Sequence, residues 1–180
     1  MTKRMISKKN HQITEVIGKI PYRLALAGGW IDQPFISRDN PSPPGSMVVV
    51  CVEPQFWFME RAGISTGTRN IALKLWKKGI PKQNPDELVQ KLYKKENGNK
   101  SEPSGSQDMI GLIYPGINRL DYDFAHREGI FPVHIESNND SQTVSWLENV
   151  INILPVAPLH SRIHPLRKAG VCFDRPRNLN

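Results

Sequence analysis

Along the chain, hydrophobic and polar positions alternate with two different periods. Tyr22, Leu24 and Leu26 alternate with Arg23, Ala25 and Ala27, the period of a half-buried strand. Ile13 to Ile20 alternates less regularly and is expected as an entering strand. Met47 to Val52 is a nearly unbroken β-branched run, and Phe56, Trp57 and Phe58 resume it after Pro54, as a buried hairpin or bent strand would. The period then lengthens. Ile71/Leu75 and Ala72/Trp76 are four apart, as are Leu88 and Leu92, with Val89 and Tyr93 beside them, so two helices are expected. The second has Asn84 as its cap, Pro85 in its first turn and Glu87 three residues after the cap. Glu96 prolongs its apolar stripe instead of joining the exposed Lys91, Lys94 and Lys95. A carboxylate aimed inward is costly unless it is paired or bound to a metal.

Further on, Pro103, Ser104 and Gly105 break the chain, and a short apolar helix begins near Ser106 with Asp108 in its first turn. Pro115-Gly116 turns the chain into a strand over Ile117–Tyr122, and Ile130 to Ile135 alternates as another. Asp140 or Ser141 can cap a helix carrying Val144 and Leu147, and Val150 to Val156 is an apolar run. The segment Asp39 to Gly45 is expected as a loop. Strands, helices and strands in this order predict an α+β domain, a mixed or antiparallel sheet backed by helices on one face.

Composition narrows the class. The 180 residues suffice for one domain with its own core, and 38% hydrophobic with 23% charged residues fits a globular chain. Fifteen prolines and thirteen glycines imply many turns. No apolar run is long enough for a membrane-spanning helix, and the basic start lacks a signal peptide's apolar stretch. Cys51 and Cys172 have no metal-ligand spacing and suggest no disulfide framework. A cytoplasmic location is expected. The net charge of +7 gathers in the first nine residues, between Lys74 and Lys100, and in a tail holding Arg162, Arg167, Lys168, Arg175 and Arg177. Basic patches can hold nucleic acid, but no nucleic-acid motif or stacking-aromatic pattern accompanies them. A solvated face, or attraction for anionic substrates, fits better. The histidines show no ligand pattern.

Two stretches carry candidate chemistry. One is Pro21-Tyr22-Arg23-Leu24-Ala25-Leu26-Ala27-Gly28-Gly29-Trp30-Ile31-Asp32; the other is Gly105-Ser106-Gln107-Asp108. An acid in a helix's first turn ordinarily just complements the helix dipole. Together, and in this order, the two stretches resemble the sugar-kinase branch of the GHMP kinases, nearest to its galactokinase, fucokinase and heptose-7-phosphate kinase members. The likeness covers about residues 21–158 and implies the N-terminal domain of such a kinase, a fold that also occurs in ribosomal proteins.

What the resemblance implies is an ATP-dependent kinase that moves the γ-phosphoryl onto a hydroxyl of a sugar or sugar phosphate, with ATP and Mg2+ as cofactors. Asp108 is then the catalytic acid that orients the attacking hydroxyl or takes its proton, and Arg23 the cation beside it. An arginine there favours orienting over strong-base action. Gly28, Gly29 and Asp32 become the substrate-binding turn. Gly63, Ser65, Thr66, Gly67 and Thr68, a small-residue loop opening a helix, become the phosphate loop, because such a loop offers backbone N–H groups and a positive dipole end. Glu96 becomes the magnesium ligand. Residues 1–20 are expected as a basic leader with an entering strand, and residues 159–180 as a basic irregular tail. The family's third, glycine-rich motif and second domain have no counterpart here. The expectation is therefore a truncated half, with little turnover alone unless a partner chain completes the cleft. A non-catalytic sugar- or partner-binding remnant is the alternative, and a basic nucleic-acid-binding module a more distant one.

Overall fold

The computed structural model describes residues 20–39, 44–53 and 64–153. The leader, Gly63, Phe56 to Phe58 and the tail lie outside them. The element order is β1 (Tyr22–Ala27), α1 (Pro34–Asp39), β2 (Gly45–Val52), α2 (Thr66–Leu75), α3 (Pro85–Asn97), α4 (Gln107–Ile113), β3 (Ile117–Tyr122), a 3-10 turn (Arg127–Gly129), β4 (His134–Asn138) and α5 (Ser141–Val150). The four strands form one antiparallel sheet in the order β1-β2-β3-β4. The α+β class and an antiparallel sheet are thus present.

Register assigns the two faces. Met47 lies opposite Leu120, and Val49 lies between Ala25 and Asn118. Successive strand residues point to opposite faces, so these side chains share one. Met47, Val49, Leu120 and Tyr122 on that face are buried, together with Leu88 and Leu92 of α3 and Met109, Leu112 and Ile113 of α4. α4 packs directly on β1 and β2, and α2 and α3 pack against it. The other face carries Arg119, Asp121, His134 and Glu136. Arg119 pairs with both Asp121 and Glu136, and Ser46 donates to Asp121 at 2.7 Å. Such exposed pairs each contribute little.

Local chemistry sets the helix ends. Asn84 caps α3, accepting from the backbone N–H of Asp86 at 2.8 Å and of Glu87 at 3.4 Å, with Pro85 following. Asp140 caps α5 through Gln142 and Thr143, both at 2.9 Å. The strand expected over Ile130 to Ile135 is displaced: β4 begins at His134. Arg127, Glu128 and Gly129 all have positive φ, which turns the chain tightly and delays pairing until His134 meets Asp121. Pro34–Asp39, for which the sequence pattern gives no element, forms the short helix α1 and runs into the segment expected as a loop. No helix among the described residues is long and apolar enough to cross a membrane.

Candidate functional site

Three distant segments converge beside the sheet. Arg23 enters from β1, Ser65 to Thr68 open α2, and Asp108 stands in the first turn of α4. Arg23 and Asp108, 85 positions apart, form an ion pair through Nη2 and Oδ1. The arginine side chain is 10% exposed and the aspartate 29%, so the pair sits at a shallow surface with the acid outermost. Thr68 donates its hydroxyl to the other oxygen of Asp108, Oδ2, at 3.4 Å. Ser65 accepts the Arg23 backbone N–H at 3.1 Å and donates to the Ile64 carbonyl at 2.7 Å. Its φ of 56° is left-handed, uncommon for a residue with a side chain. Those two bonds hold it there, and they fix the start of α2 against β1.

Glycine makes the contact between β1 and α4 possible. A Cβ on Gly111 would overlap Cγ of Arg23 and lie 3.0 Å from its Cβ. Arg23 therefore lies across a bare patch of α4 on its way to Asp108. Its Nε is buried and has no hydrogen-bond partner among the described residues. Arg69 on α2 supports the same corner, donating from Nε to the Ile20 carbonyl at 3.0 Å and stacking over the Tyr22 ring.

Asp32 is placed behind this pair rather than in it. Expected to meet sugar hydroxyls, it is fully buried, because the start of α4 takes both of its oxygens. Gln107 donates its backbone N–H to Oδ2 and its side-chain amide to Oδ1, each at 3.0 Å. Gly105 lies flat against it, where any Cβ would overlap the carboxylate. Burial pushes the Asp32 carboxyl up to about 7; the Gln107 N–H opposes that, the Asp108 charge adds to it and the Arg23 charge reduces it.

The remaining expected site residues are dispersed. Gly28 (φ 72°) crosses β2 so closely that a Cβ would overlap the Ser46 carbonyl, a packing reason for glycine. Gly29 borders open space. Thr66 and Gly67 lie in the first turn of α2 with Gly67 exposed. Glu96 does point inward, its side chain 11% exposed, but Oε1 is taken by Lys100 at 3.2 Å and by Ser104 at 3.3 Å. Its other oxygen, Oε2, is buried and has no hydrogen-bond partner among the described residues. No group of three His, Cys, Asp or Glu suited to a metal occurs among the described residues.

Sequence reasoning placed Gly105 and Gln107 in a candidate stretch without giving either a role, and it missed Gly111. Gly111 did carry a signal, since glycine inside a short helix is unfavourable unless something needs the space. The helix does begin at Ser106, but the Ser106 hydroxyl caps nothing and donates to the Ile130 carbonyl at 2.6 Å. Comparison of the chain with family models, curated proteins and solved structures gives no match in any of the three.

Proposed function

We propose that this domain forms one wall of a phosphoryl-transfer site of the sugar-kinase type, with ATP as donor and the hydroxyl of a sugar or sugar phosphate as acceptor. The observation that carries the reading is the ion pair of Arg23 and Asp108 at the N-terminal turn of α2. Phosphoryl transfer depends chiefly on positioning and on neutralising charge. A helix start beside a guanidinium suits a triphosphate, and an ionised carboxylate beside both suits an acceptor hydroxyl.

The two oxygens of Asp108 divide the work. Oδ1 is held by Arg23, while among the described residues Oδ2 has only the long bond from Thr68 and is the oxygen an incoming hydroxyl meets. That hydroxyl oxygen attacks the γ-phosphorus, the bond to the ADP oxygen breaks, and the hydroxyl proton passes to Asp108 Oδ2 or to water. Arg23 stabilises the charge on the phosphoryl oxygens, assisted by Ser65, Thr66, Gly67 and Thr68 at the dipole end of α2. Mg2+ neutralises phosphate charge when bound. It would need only one or two protein carboxylates, and Glu96 is the one the motif likeness offers for it.

The test is calorimetric titration of the full chain with a non-hydrolysable ATP analogue and Mg2+, followed by turnover assays over sugars and sugar phosphates. Arg23→Ala is expected to abolish nucleotide binding. Asp108→Asn is expected to preserve nucleotide binding and remove turnover. Nucleotide binding without turnover on any sugar would favour the non-catalytic reading. Nucleotide binding that is indifferent to Arg23 and Thr68 would end the phosphate-site reading altogether.

A further inference from the structure

α4 has no cap of its own. Ser106 stands at the cap position, yet its side chain accepts no helix N–H and is turned away to the Ile130 carbonyl. Helix starts leave N–H groups that need an acceptor, and a buried start needs one urgently. Asp32 supplies it from 75 positions away: its carboxylate accepts the Gln107 N–H, and the next residue is Asp108. The turn that aims Asp108 is therefore held by a side chain from the β1–α1 connection, which also follows directly on the strand carrying Arg23. We propose that Asp32 is a positioning residue for the Arg23–Asp108 pair, acting as the remote cap of α4 in its ionised form. This role rests on the phosphoryl-transfer reading only for its functional consequence; the capping itself does not.

Geometry specifies the ionised form. Both carboxylate oxygens accept, one from the Gln107 backbone and one from its amide nitrogen, and only a carboxylate accepts at both without an O–H to place. Gln107 Oε1, buried and without a partner among the described residues, defines the competing arrangement. With a proton on Asp32, the amide turns over and Oε1 accepts the Asp32 O–H. Two protonation states thus correspond to two orientations of one buried amide.

The charged and titratable groups around Asp32 come from several elements. Arg23 approaches from β1 and Asp108 from α4, the first favouring the charge on Asp32 and the second opposing it. Tyr122 on β3 and Tyr93 on α3 feel that charge, and Glu128 on the 3-10 turn acts on Tyr93. Arg23 is thereby shared between two carboxylates, one in its ion pair and one behind it. Protonating Asp32 removes one competitor and loosens the cap in the same event. The carboxyl's position near 7 puts this event close to neutral pH.

The experiment is NMR of the full chain from pH 5 to 9, with nitrogen and carbon labels, on wild type, Asp32→Asn and Asp32→Ala. In wild type the Gln107 backbone and side-chain amide signals and the Arg23 Nε–H signal are expected to move together, with one midpoint near 7. An asparagine side chain retains an acceptor for the Gln107 N–H but does not titrate, so Asp32→Asn is expected to lose that shared midpoint while the Arg23 signal stays at its paired position. Asp32→Ala is expected to move the Arg23 signal to that of an unpaired side chain while the remaining methyl signals keep their dispersion. Gln107 signals that titrate equally in Asp32→Asn would overturn the proposal without requiring the alanine variant to fold, as would an Asp32→Ala variant with dispersed methyl signals and an unmoved Arg23 signal. Nucleotide titration of the same samples reports separately on the phosphoryl-transfer reading. Loss of ATP binding with the shared midpoint intact would defeat that reading and leave Asp32 as the cap of α4.

Discussion

Alanine at position 111 sets two effects of opposite sign against each other. Alanine favours a helix interior over glycine by about 1 kcal/mol, so propensity alone predicts a more stable α4. The structure predicts the reverse. The new Cβ would overlap Arg23 Cγ and lie 3.3 Å from its Cδ, and these are stem atoms that cannot swing aside without moving the guanidinium. Forcing extra volume into a filled site costs about 1–3 kcal/mol. Displacing Arg23 also forfeits a partly exposed ion pair, worth about 1 kcal/mol or less. The net expectation for Gly111→Ala is a loss of about 1–2 kcal/mol, read as a lower urea midpoint with an unchanged slope. In an Arg23→Ala background the obstructing stem is gone, so the same substitution should become neutral or stabilising. A double-mutant cycle should therefore show at least about 1 kcal/mol of coupling between residues so far apart in sequence. Equal effects in the two backgrounds, or a stabilised Gly111→Ala in the presence of Arg23, would refute the packing argument.

Three other outcomes follow from the same geometry. The Asp32 carboxyl, raised from 3.8 to about 7, binds its proton more tightly folded than unfolded. Stability should thus fall as pH rises from about 4 to about 7 and level off above, by on the order of 4 kcal/mol, and Asp32→Asn should flatten that slope in pH-dependent urea melts. Asn84→Ala removes the acceptor for the N–H groups of Asp86 and Glu87 and should cost about 1 kcal/mol, measured by chemical denaturation. The Asp140 carboxyl is held below its usual range, first by the Thr143 N–H. The stability it lends is present above the ordinary carboxylate range and lost as pH falls through its folded value, so Asp140→Ala should shrink the acid limb of the melt.

Local pattern was enough to place three strands: β2 through its β-branched run, β3 through alternation of buried and more exposed positions, and β1 by its position, though not by its phase, since Arg23 is buried and Leu26 is 47% exposed. It failed at β4, where apolar Ile130 and Phe131 suggested a strand before the left-handed turn at Arg127 to Gly129 had released the chain. Local periodicity does not encode such a turn. Arg23, Asp108 and Thr68 were proposed through a likeness of motifs; from the residues alone Asp108 reads as a dipole partner. The burial of Asp32 was not legible, since a polar side chain on a turn looks the same whether it faces water or the amide of Gln107. Phe56 to Phe58, read as core, lie outside the described residues.

The pairing of Arg23 with Asp108 and of Asp32 with Gln107, 85 and 75 positions apart, has a consequence for the order in which the chain assembles. β3 and β4 are near neighbours in sequence and can pair early, as can the turns of α3 under its own cap. Both long-range contacts require large loops to close, and loop-closure entropy is lost before such contacts return anything. The candidate site should therefore be among the last parts to form and, in native-state hydrogen exchange, among the first to open. A ligand bound there would act as a clasp on the amino-terminal strand, so protection of the β1 amides should rise on binding more than that of β3.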